Sequence, residues 1–325
     1  MPGRPLKVGV QLPEVEWEAR WSDLRALAVR AEELGFDAVW YGDHLLYRRP
    51  GDDRARGPWE AWTTLAGIAA VTSRVAIGPL VAATAFHAPA MLAKMAATVD
   101  EISGGRLILG LGAGWYDEEY RSYGWEFPSA GDRLGLLSEA LEVIPRLWSE
   151  ATVTHHGRHV HLDDAHCEPQ PLSLPGRPRP PLLVGGGGEK VTLRLAAEHA
   201  DATNWQVGLE AFVHKSEVLA RHCEDLGRDP AGIVRTHGPD CLVVDTEADL
   251  ARFVERTGGD LWGEDDPADW VRDNLVGTVE QVAEKAQGYL DAGCSEFVLW
   301  FRDAPSGESM QAWMTDVAPL LSPTG

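Results

Sequence analysis

A run of four glycines, residues 185–188, is the first part of the sequence whose composition suggests chemistry. It follows a short apolar run at 182–184, typical of a buried strand, and precedes apolar residues spaced as on one face of a helix. Because glycine has no Cβ, ligand oxygens can approach the N–H groups of such a turn, and the start of a helix offers further donors. The pattern is compatible with a phosphate site, and equally with a turn that needs glycine only for positive φ.

Lys190 lies just beyond the glycine run and favours the phosphate interpretation, because it adds a positive charge there. The glycine spacing matches neither G-x-G-x-x-G nor the P-loop with its terminal Lys-Ser/Thr. The sequence therefore predicts neither a Rossmann dinucleotide site nor a Walker nucleotide site.

A second group of chemistry-bearing side chains lies in the His- and Pro-rich stretch 151–180. Its members are His155, His156, His159, His161, His166, Asp163, Asp164 and Cys167. Their spacing matches no H-E-x-x-H or other fixed zinc pattern, and a polar hairpin with outward-facing histidines explains them more simply. We therefore predict no metal site.

The overall composition is that of an ordinary globular protein, with 44% hydrophobic and 24% charged residues. The formal net charge of −21 argues against nucleic acid as a partner, and it also opposes any anionic ligand unless local donors offset it. No apolar stretch approaches the roughly 18 residues of a membrane span, and the N-terminus does not resemble a signal peptide. We expect a cytoplasmic protein with no membrane partner.

Two further groups of residues favour structural interpretations. The four cysteines are far apart and form no C-x-x-C pair, which predicts buried, reduced thiols; they are Cys167, Cys223, Cys241 and Cys294. The arginines of the one dense basic cluster are typical of a solvated loop; they are Arg48, Arg49, Arg54 and Arg56.

Short apolar runs alternate with helical patterns from one end of the chain to the other. The eight candidate strands are residues 7–12, 38–42, 75–81, 106–112, 181–185, 202–207, 241–245 and 296–301. Strands that alternate with helices pair in parallel, and eight such units predict an α/β fold that closes into a TIM barrel, with chemistry at the carboxyl ends of its strands. We predict that residues 1–325 form this single domain, with insertion loops at about 151–180 and 255–275.

Capping residues bound two of the predicted helices. Ser22 is a candidate N-cap for the helix between the first two strands, and Gly35 is its predicted end. Thr278 with Gln281 fits a capping box before the last strand, where Gly293 ends the helix.

Several longer motifs, in order along the chain, resemble the luciferase-like oxidoreductase family, in the branch that uses the deazaflavin coenzyme F420. They are "AEELGFDAVWYGDHL", "SGGRLILGLGAGW", "DRLGLLSEALEVIPRLW" and the glycine run itself. The resemblance covers nearly the whole chain. It implies a TIM barrel with an insertion region near the active site, a small-molecule substrate and a homodimer.

The resemblance also assigns a coenzyme site. It implies that the glycine run, Gly185, Gly186, Gly187 and Gly188, takes the coenzyme phosphate. It implies that the turn after the fourth strand passes close to the phospho-ribityl chain; the residues of this turn are Gly110, Gly112, Ala113 and Gly114. The family commonly has a non-proline cis peptide behind the ring, which by position is Leu80–Val81 here.

Asp43 and His44 match the family's Asp-His pair, so the resemblance implies that Asp43 contacts the deazaflavin edge and that His44 faces the substrate as an acid or base. Relatives that oxidise a sugar phosphate resemble each other in having a glutamate where this chain has Trp115, and a tryptophan near the position of Tyr47 or Arg48. We therefore expect Trp115 and Tyr47 to line a pocket for an apolar or aromatic substrate.

A deazaflavin passes hydride rather than single electrons, so the expected reaction is hydride transfer from the reduced coenzyme to an activated C=C or C=N bond, with His44 or a water supplying the proton. Two alternatives stay open. One is an FMN-dependent monooxygenase of the luciferase type, and the other is a deazaflavin-binding protein without turnover.

Overall fold

The computed structural model describes residues 6–48, 54–257 and 266–322. Its strands in chain order are β1 (Lys7–Gln11), β2 (Ala38–Tyr41), β3 (Ala76–Pro79), β4 (Ala82–Ala83), β5 (Leu109–Gly112), β6 (Val153–His156), β7 (His161–Ala165), β8 (Leu182–Gly185), β9 (Ala202–Trp205), β10 (Val234–His237), β11 (Asp240–Val243), β12 (Leu275–Gly277) and β13 (Glu296–Phe301).

The helices surround these strands. In chain order they are α1 (Trp21–Leu34), α2 (Ala61–Val71), α3 (Pro89–Ser103), α4 (Asp117–Ser122), α5 (Ala130–Leu147), α6 (Thr192–His199), α7 (Leu209–Leu226), α8 (Glu247–Thr257), α9 (Pro267–Asp273), α10 (Val279–Asp291) and α11 (Glu308–Ala312). Short 3₁₀ turns occupy Pro230–Gly232 and Ala318–Leu320, and one π-helical turn occupies Trp313–Val317.

The main sheet is a parallel barrel, as predicted. Its strands run in the order β3-β2-β1-β13-β10-β9-β8-β5-β4, and a parallel bridge between Ile77 and Leu107 joins β3 to the chain just before β5. The predicted count of eight becomes nine along this path, because β4 continues β3 after Leu80 and Val81. The peptide bond between these two residues is cis, as expected from the family.

The prediction of the seventh barrel strand was wrong. The barrel uses β10, whereas the predicted strand at 241–245 corresponds to β11, which pairs with β12 and only with the last residues of β13. The sequence of β10 is VRTH, and its polar Thr236 and His237 are fully buried in the barrel wall. Sequence periodicity missed β10 because these polar residues hide the apolar pattern of a buried strand.

The end of α1 and the capping box of α10 are as predicted, Gly293 directly follows the C-cap of α10 with a φ of 87°, and the start of α1 differs. Gly35 ends α1 with a φ of 92°, and Gln281 Oε1 accepts the Thr278 N–H at 3.0 Å in the predicted capping box. Ser22, however, lies inside α1, which begins at Trp21. The N-cap is instead Arg20, whose backbone N–H donates a hydrogen bond to Asp23 Oδ2 at 2.8 Å.

Apolar side chains pack in two layers around the barrel wall. The larger core lies between the strands and the helices, and a smaller cluster of Ala38, Trp40, Leu183 and Val298 fills the barrel interior. A Cβ on Gly9 would lie 2.7 Å from Trp40 Nε1, so the indole ring requires a glycine on the neighbouring strand. The filled interior forms the floor of the cavity described below.

The predicted insertion at 151–180 contains a two-stranded antiparallel hairpin of β6 and β7, with Val153 opposite Ala165. Its histidines pair with acidic neighbours: His155 Nε2 lies 3.3 Å from Glu139 Oε2, and His156 Nε2 lies 2.7 Å from Asp163 Oδ1. Among the residues the structure describes, no three His, Cys, Asp or Glu side chains are grouped so that they could hold a metal ion.

The second predicted insertion, 255–275, contains α9 and the start of β12, while residues 258–265 lie outside the described residues. The four cysteines are buried and free, as predicted. Across the described parts of the chain, no helix is both long enough and apolar enough to cross a membrane.

Candidate functional site

A cavity of about 540 Å³ opens at the carboxyl ends of the barrel strands. Its lining comes from elements that are distant in sequence. The lining residues are Gln11, Glu14, Val15, Asp43, His44, Tyr47, Leu80, Val81, Ala83, Phe86, Gly114, Trp115, Glu119, Gly185, Gly186, Gly187, Asn204, Trp205, Gln206, Val207, Gly238, Val298 and Trp300. The barrel therefore brings most of the predicted site residues to one place, at the end of the strands where such barrels carry their active sites.

Asp43 lies just after β2 and is only 4% exposed. Its Oδ2 accepts a hydrogen bond from the Ala83 N–H at 3.0 Å and lies 3.1 Å from Nε2 of His87. These two contacts fix the carboxylate on the cavity wall, beside the end of β4.

The neighbouring His44 is held by a glutamate that the sequence analysis did not identify. Glu119, on α4, is 1% exposed, and its Oε1 lies 2.9 Å from His44 Nδ1. Its other oxygen, Oε2, accepts a hydrogen bond from the Leu45 N–H. When Nδ1 donates to this carboxylate, Nε2 is the ring nitrogen left to exchange a proton with a ligand.

Burial lowers the pKa of His44, but the hydrogen bond to Glu119 and the charges of Glu14, Glu119 and Asp43 raise it by more. The net result is a pKa above the ordinary 6.5. His44 therefore keeps its proton to a higher pH than a free imidazole, which suits a proton donor.

A second buried carboxylate, Glu14, was also missed by the sequence analysis. Its Oε2 accepts the Tyr47 hydroxyl at 2.8 Å, and its Oε1 accepts the Gln11 side-chain amide at 2.9 Å. Burial raises the pKa of Glu14 from 4.5 to about 6, against the lowering influence of His44 and the two hydrogen bonds. Burial and the Glu14 charge in turn raise the pKa of Tyr47 well above 10.

Aromatic side chains form much of the remaining wall. The Trp115 ring meets the His44 ring edge-to-face, with centroids 5.8 Å apart, and Trp115 is 67% exposed at the mouth of the cavity. Phe86, Trp205 and Trp300 line the same cavity. Trp115 and Tyr47, which are predicted to line a substrate pocket, both line this cavity.

The glycine run lies at the cavity edge before α6. Gly185, Gly186 and Gly187 line the cavity, and Gly186 has a φ of 103°. Within the described part of the chain, the N–H groups of Gly187 and Gly188 donate to no protein acceptor. These N–H groups are therefore available to an anionic group such as a phosphate.

Lys215 on α7 contacts this turn, a contact that the sequence analysis did not identify, although Lys215 does not line the cavity. Lys215 is half-buried, and its Nζ donates a hydrogen bond to the Gly187 carbonyl oxygen at 2.8 Å. Lys190 is exposed and does not line the cavity. Lys215 lies 28 residues from Gly187, so no local sequence pattern connects them.

Some of the glycines have a packing reason that involves no ligand. A Cβ on Gly112 would lie 2.6 Å from Val81 Cγ2, and one on Gly185 would lie 2.8 Å from Val81 Cγ1. Val81 therefore fills the space between these two strand ends. Of the residues predicted to bind the coenzyme, Gly112, Ala113 and Gly188 lie outside the cavity lining, as does Gly110.

The predicted basic cluster lies partly beside the site. Arg48 forms an ion pair with Glu118 on α4, next to Glu119. Arg49 lies outside the described residues.

Comparison with known proteins gives this architecture a family context. Residues 6–296 match the family model described as luciferase-like monooxygenase. The chain is 31% identical to an F420-dependent glucose-6-phosphate dehydrogenase of Kineococcus radiotolerans, over 99% of this chain and 98% of that protein.

Solved structures share the fold. An F420-dependent secondary alcohol dehydrogenase in complex with an F420-acetone adduct superposes with a TM-score of 0.82 at 22% identity, covering 98% of this chain and all of that one. The coenzyme F420-dependent tetrahydromethanopterin reductase of Methanopyrus kandleri gives 0.79 at 18% identity, with coverage of 98% and 100%. At these identities the similarity shows the barrel fold alone.

Proposed function

The chain belongs to the luciferase-like monooxygenase family, and on that premise we propose that it is a coenzyme F420-dependent oxidoreductase that reduces an activated C=C or C=N bond of a small organic substrate. The sequence similarity to F420-dependent relatives over nearly the whole chain supports the coenzyme. The reaction is inferred from the residues of the cavity.

One observation carries the proposal: the glycine turn, with its free Gly187 N–H, and the His44–Glu119 pair border the same cavity. The first can hold an anionic phosphate, and the second can move a proton. A site with both features suits a phosphate-bearing redox coenzyme next to a substrate that gains a proton.

We assign the coenzyme site to three groups of residues. The N–H groups of Gly187 and Gly188 hold the phosphate, and Lys215 offsets the negative field of a protein with a net charge of −21. The segment Leu80–Val81 supports the ring, and Asp43 contacts its edge. When bound, coenzyme F420 supplies a hydride.

Other side chains of the cavity act on the substrate. His44 donates the proton from Nε2, and Glu119 keeps Nδ1 engaged, so that the ring stays in one orientation. Trp115 occupies the position where sugar-phosphate-oxidising relatives resemble each other in having a glutamate. An apolar indole there favours reduction of an apolar or aromatic substrate over oxidation of a sugar phosphate.

Equilibrium titration with oxidised coenzyme F420 and with FMN tests the coenzyme. Trp115, Trp205 and Trp300 line the cavity, so tryptophan fluorescence should report binding directly. We expect tighter binding of coenzyme F420. Tighter binding of FMN, together with oxygen uptake when reduced FMN is added, would contradict the proposal.

Turnover tests the reaction. The reduced coenzyme is mixed with a panel of substrates that contain activated C=C or C=N bonds, and formation of the oxidised coenzyme is followed by its absorbance. Substrate-dependent oxidation supports a reductase. Coenzyme binding without oxidation for any member of a broad panel would favour a carrier protein.

A further inference from the structure

The charged side chains that line the cavity are mostly acidic. Three carboxylates line it, those of Glu14, Asp43 and Glu119, whereas no lysine or arginine does so among the described residues. His44 is the cavity's possible cation, and it is already engaged by Glu119. The substrate end of the cavity is therefore built to repel anions.

Two of the three carboxylates have histidine partners. Glu119 pairs with His44, and Asp43 pairs with His87 at 3.1 Å. Glu14, in contrast, receives hydrogen bonds only from the neutral Tyr47 hydroxyl and Gln11 amide. In the described structure its carboxylate has no cationic hydrogen-bond partner.

The buried Arg302 is already paired with other acids. Arg302 is buried between two other acids, with Nη1 at 3.8 Å from Glu16 Oε1 and Nε at 3.4 Å from Asp240 Oδ2. Its charge is therefore shared between two carboxylates behind the cavity wall. Within the cavity, His44 acts electrostatically on Glu14, but its charge is shared with Glu119 and Asp43, so one possible cation faces three carboxylates.

The surfaces around Glu14 suit a cation with an apolar body. Tyr47, Phe86, Trp115, Trp205 and Trp300 line the cavity. Aromatic faces attract ammonium groups, and a desolvated carboxylate pairs with them strongly. The same surroundings disfavour a phosphate or carboxylate group on the substrate, because it would meet three carboxylates and only one possible cation, His44.

We propose that Glu14 selects a substrate whose reducible bond is a C=N group that carries positive charge, an iminium ion attached to an apolar or aromatic body. This inference rests on the proposed function and narrows its substrate class. Burial raises the pKa of Glu14 to about 6, so a cationic ligand would find it ionised at neutral pH.

The reaction balances with the coenzyme as the only reductant. The iminium carbon gains a hydride, the π electron pair moves to nitrogen, and the positive charge disappears to leave a neutral amine. The hydride, and one proton released to solvent, come from the reduced coenzyme, which ends oxidised. For a neutral imine, His44 first protonates the nitrogen, and the same step follows. At neutral pH the amine then takes up a proton, since alkylamines have a pKa of about 10, and leaves as an ammonium ion.

The test compares three probes of similar size that differ in charge: benzylammonium, benzyl alcohol and benzoate. Each is titrated by calorimetry into the full-length protein at neutral pH, with and without saturating coenzyme F420. We expect benzylammonium to bind at least tenfold more tightly than benzyl alcohol, and benzoate to bind most weakly. Equal or tighter binding of benzyl alcohol or benzoate would overturn the proposal, and this ranking requires no variant.

The variant Glu14→Gln then tests whether this one side chain causes the selectivity. It should reduce the preference for benzylammonium over benzyl alcohol about tenfold, because it removes the charge and keeps the shape. Glu18→Gln makes the same change on an exposed glutamate beside Arg20 and should leave the ranking unchanged. A folded Glu14→Gln protein, verified by its melting temperature, that keeps the full preference would contradict the role of Glu14.

The coenzyme titration separates this inference from the proposed function. If coenzyme F420 binds but the cation is not preferred, the substrate class is wrong and the coenzyme assignment stands. If the cation is preferred but coenzyme F420 does not bind, the proposed function is wrong and Glu14 selects a cation for another reaction.

Discussion

The glycine turn at 185–188 and the acidic wall formed by Glu14, Asp43 and Glu119 border the same cavity, but they are built from different parts of the chain. The turn offers backbone N–H groups from consecutive residues. The acidic wall offers side chains from three distant segments; its Glu119 contacts His44 across 75 positions of sequence. Backbone sites can thus be recognised in a local pattern, whereas side-chain networks depend on the closed barrel.

The two regions should also fail differently. A change in the turn should weaken coenzyme binding, because the backbone N–H groups contact the coenzyme already in the ground state. A change at His44 or in the acidic wall should alter proton transfer or substrate choice, since those side chains face the reacting group. Four variants test this separation.

His44→Ala should have the largest effect. With a neutral substrate, which must gain a proton, we expect turnover to fall by about 10²–10⁴ because the proton donor is lost, while coenzyme affinity stays near that of the wild type. Steady-state kinetics and coenzyme titration on one preparation measure both. His156→Ala is a control, since His156 lies in the exposed hairpin and pairs with Asp163. A common loss of melting temperature, turnover and affinity in His44→Ala would make His44 a structural residue.

Gly186→Val should show the opposite pattern. Its φ of 103° disfavours a side chain, and disturbing the turn should weaken coenzyme binding by about 2 kcal/mol, as expected for lost hydrogen bonds to a charged group. Gly176→Val is the matched control, because Gly176 has a φ of 75° in an exposed loop outside the cavity lining. Unchanged coenzyme affinity in a folded Gly186→Val protein would remove the phosphate from this turn.

Glu119→Gln tests the link within the acidic wall. Glu119 raises the pKa of His44, so its neutral replacement should lower that pKa. His44 acts as an acid and loses activity as pH rises through its pKa, so the falling limb of the rate profile should move to lower pH. We expect about a tenfold lower rate on that limb, with little change where His44 is still protonated. An unmoved pH profile would show that Glu119 does not tune His44.

Lys215→Met should have the smallest effect. The variant keeps most of the length of the side chain and removes its charge, so coenzyme affinity should fall about threefold to tenfold, and more at low salt. Lys190→Met is the control on an exposed lysine near the same turn. If both variants bind the coenzyme equally, Lys215 does not contact the phosphate.

The barrel was predictable from sequence because buried parallel strands leave continuous apolar runs between helical patterns. The exception, β10, shows the limit: its Thr236 and His237 are buried polar residues, which a pattern of apolar residues cannot identify. Conversely, β11 has the expected apolar pattern yet joins the barrel only through the last residues of β13.

The candidate site was predictable only in part. Asp43, His44 and the cis Leu80–Val81 bond came from family resemblance, and the structure places them in the cavity wall. Glu119 could not be identified from the sequence, because it lies 75 positions from His44 and their contact depends on where the fold places α4. The packing role of Gly112 was also not predictable, because the Val81 side chain that occupies the adjacent space comes from a distant segment between β3 and β4.

A crystal structure of the protein with coenzyme F420 tests the central claim most directly, because it locates both ends of the ligand at once. The account predicts phosphate oxygens within hydrogen-bond distance of the Gly187 and Gly188 N–H groups, and the ring between Leu80–Val81 and the Asp43–His44 pair. A coenzyme whose phosphate lies away from the glycine turn, or whose ring lies away from His44, would contradict it.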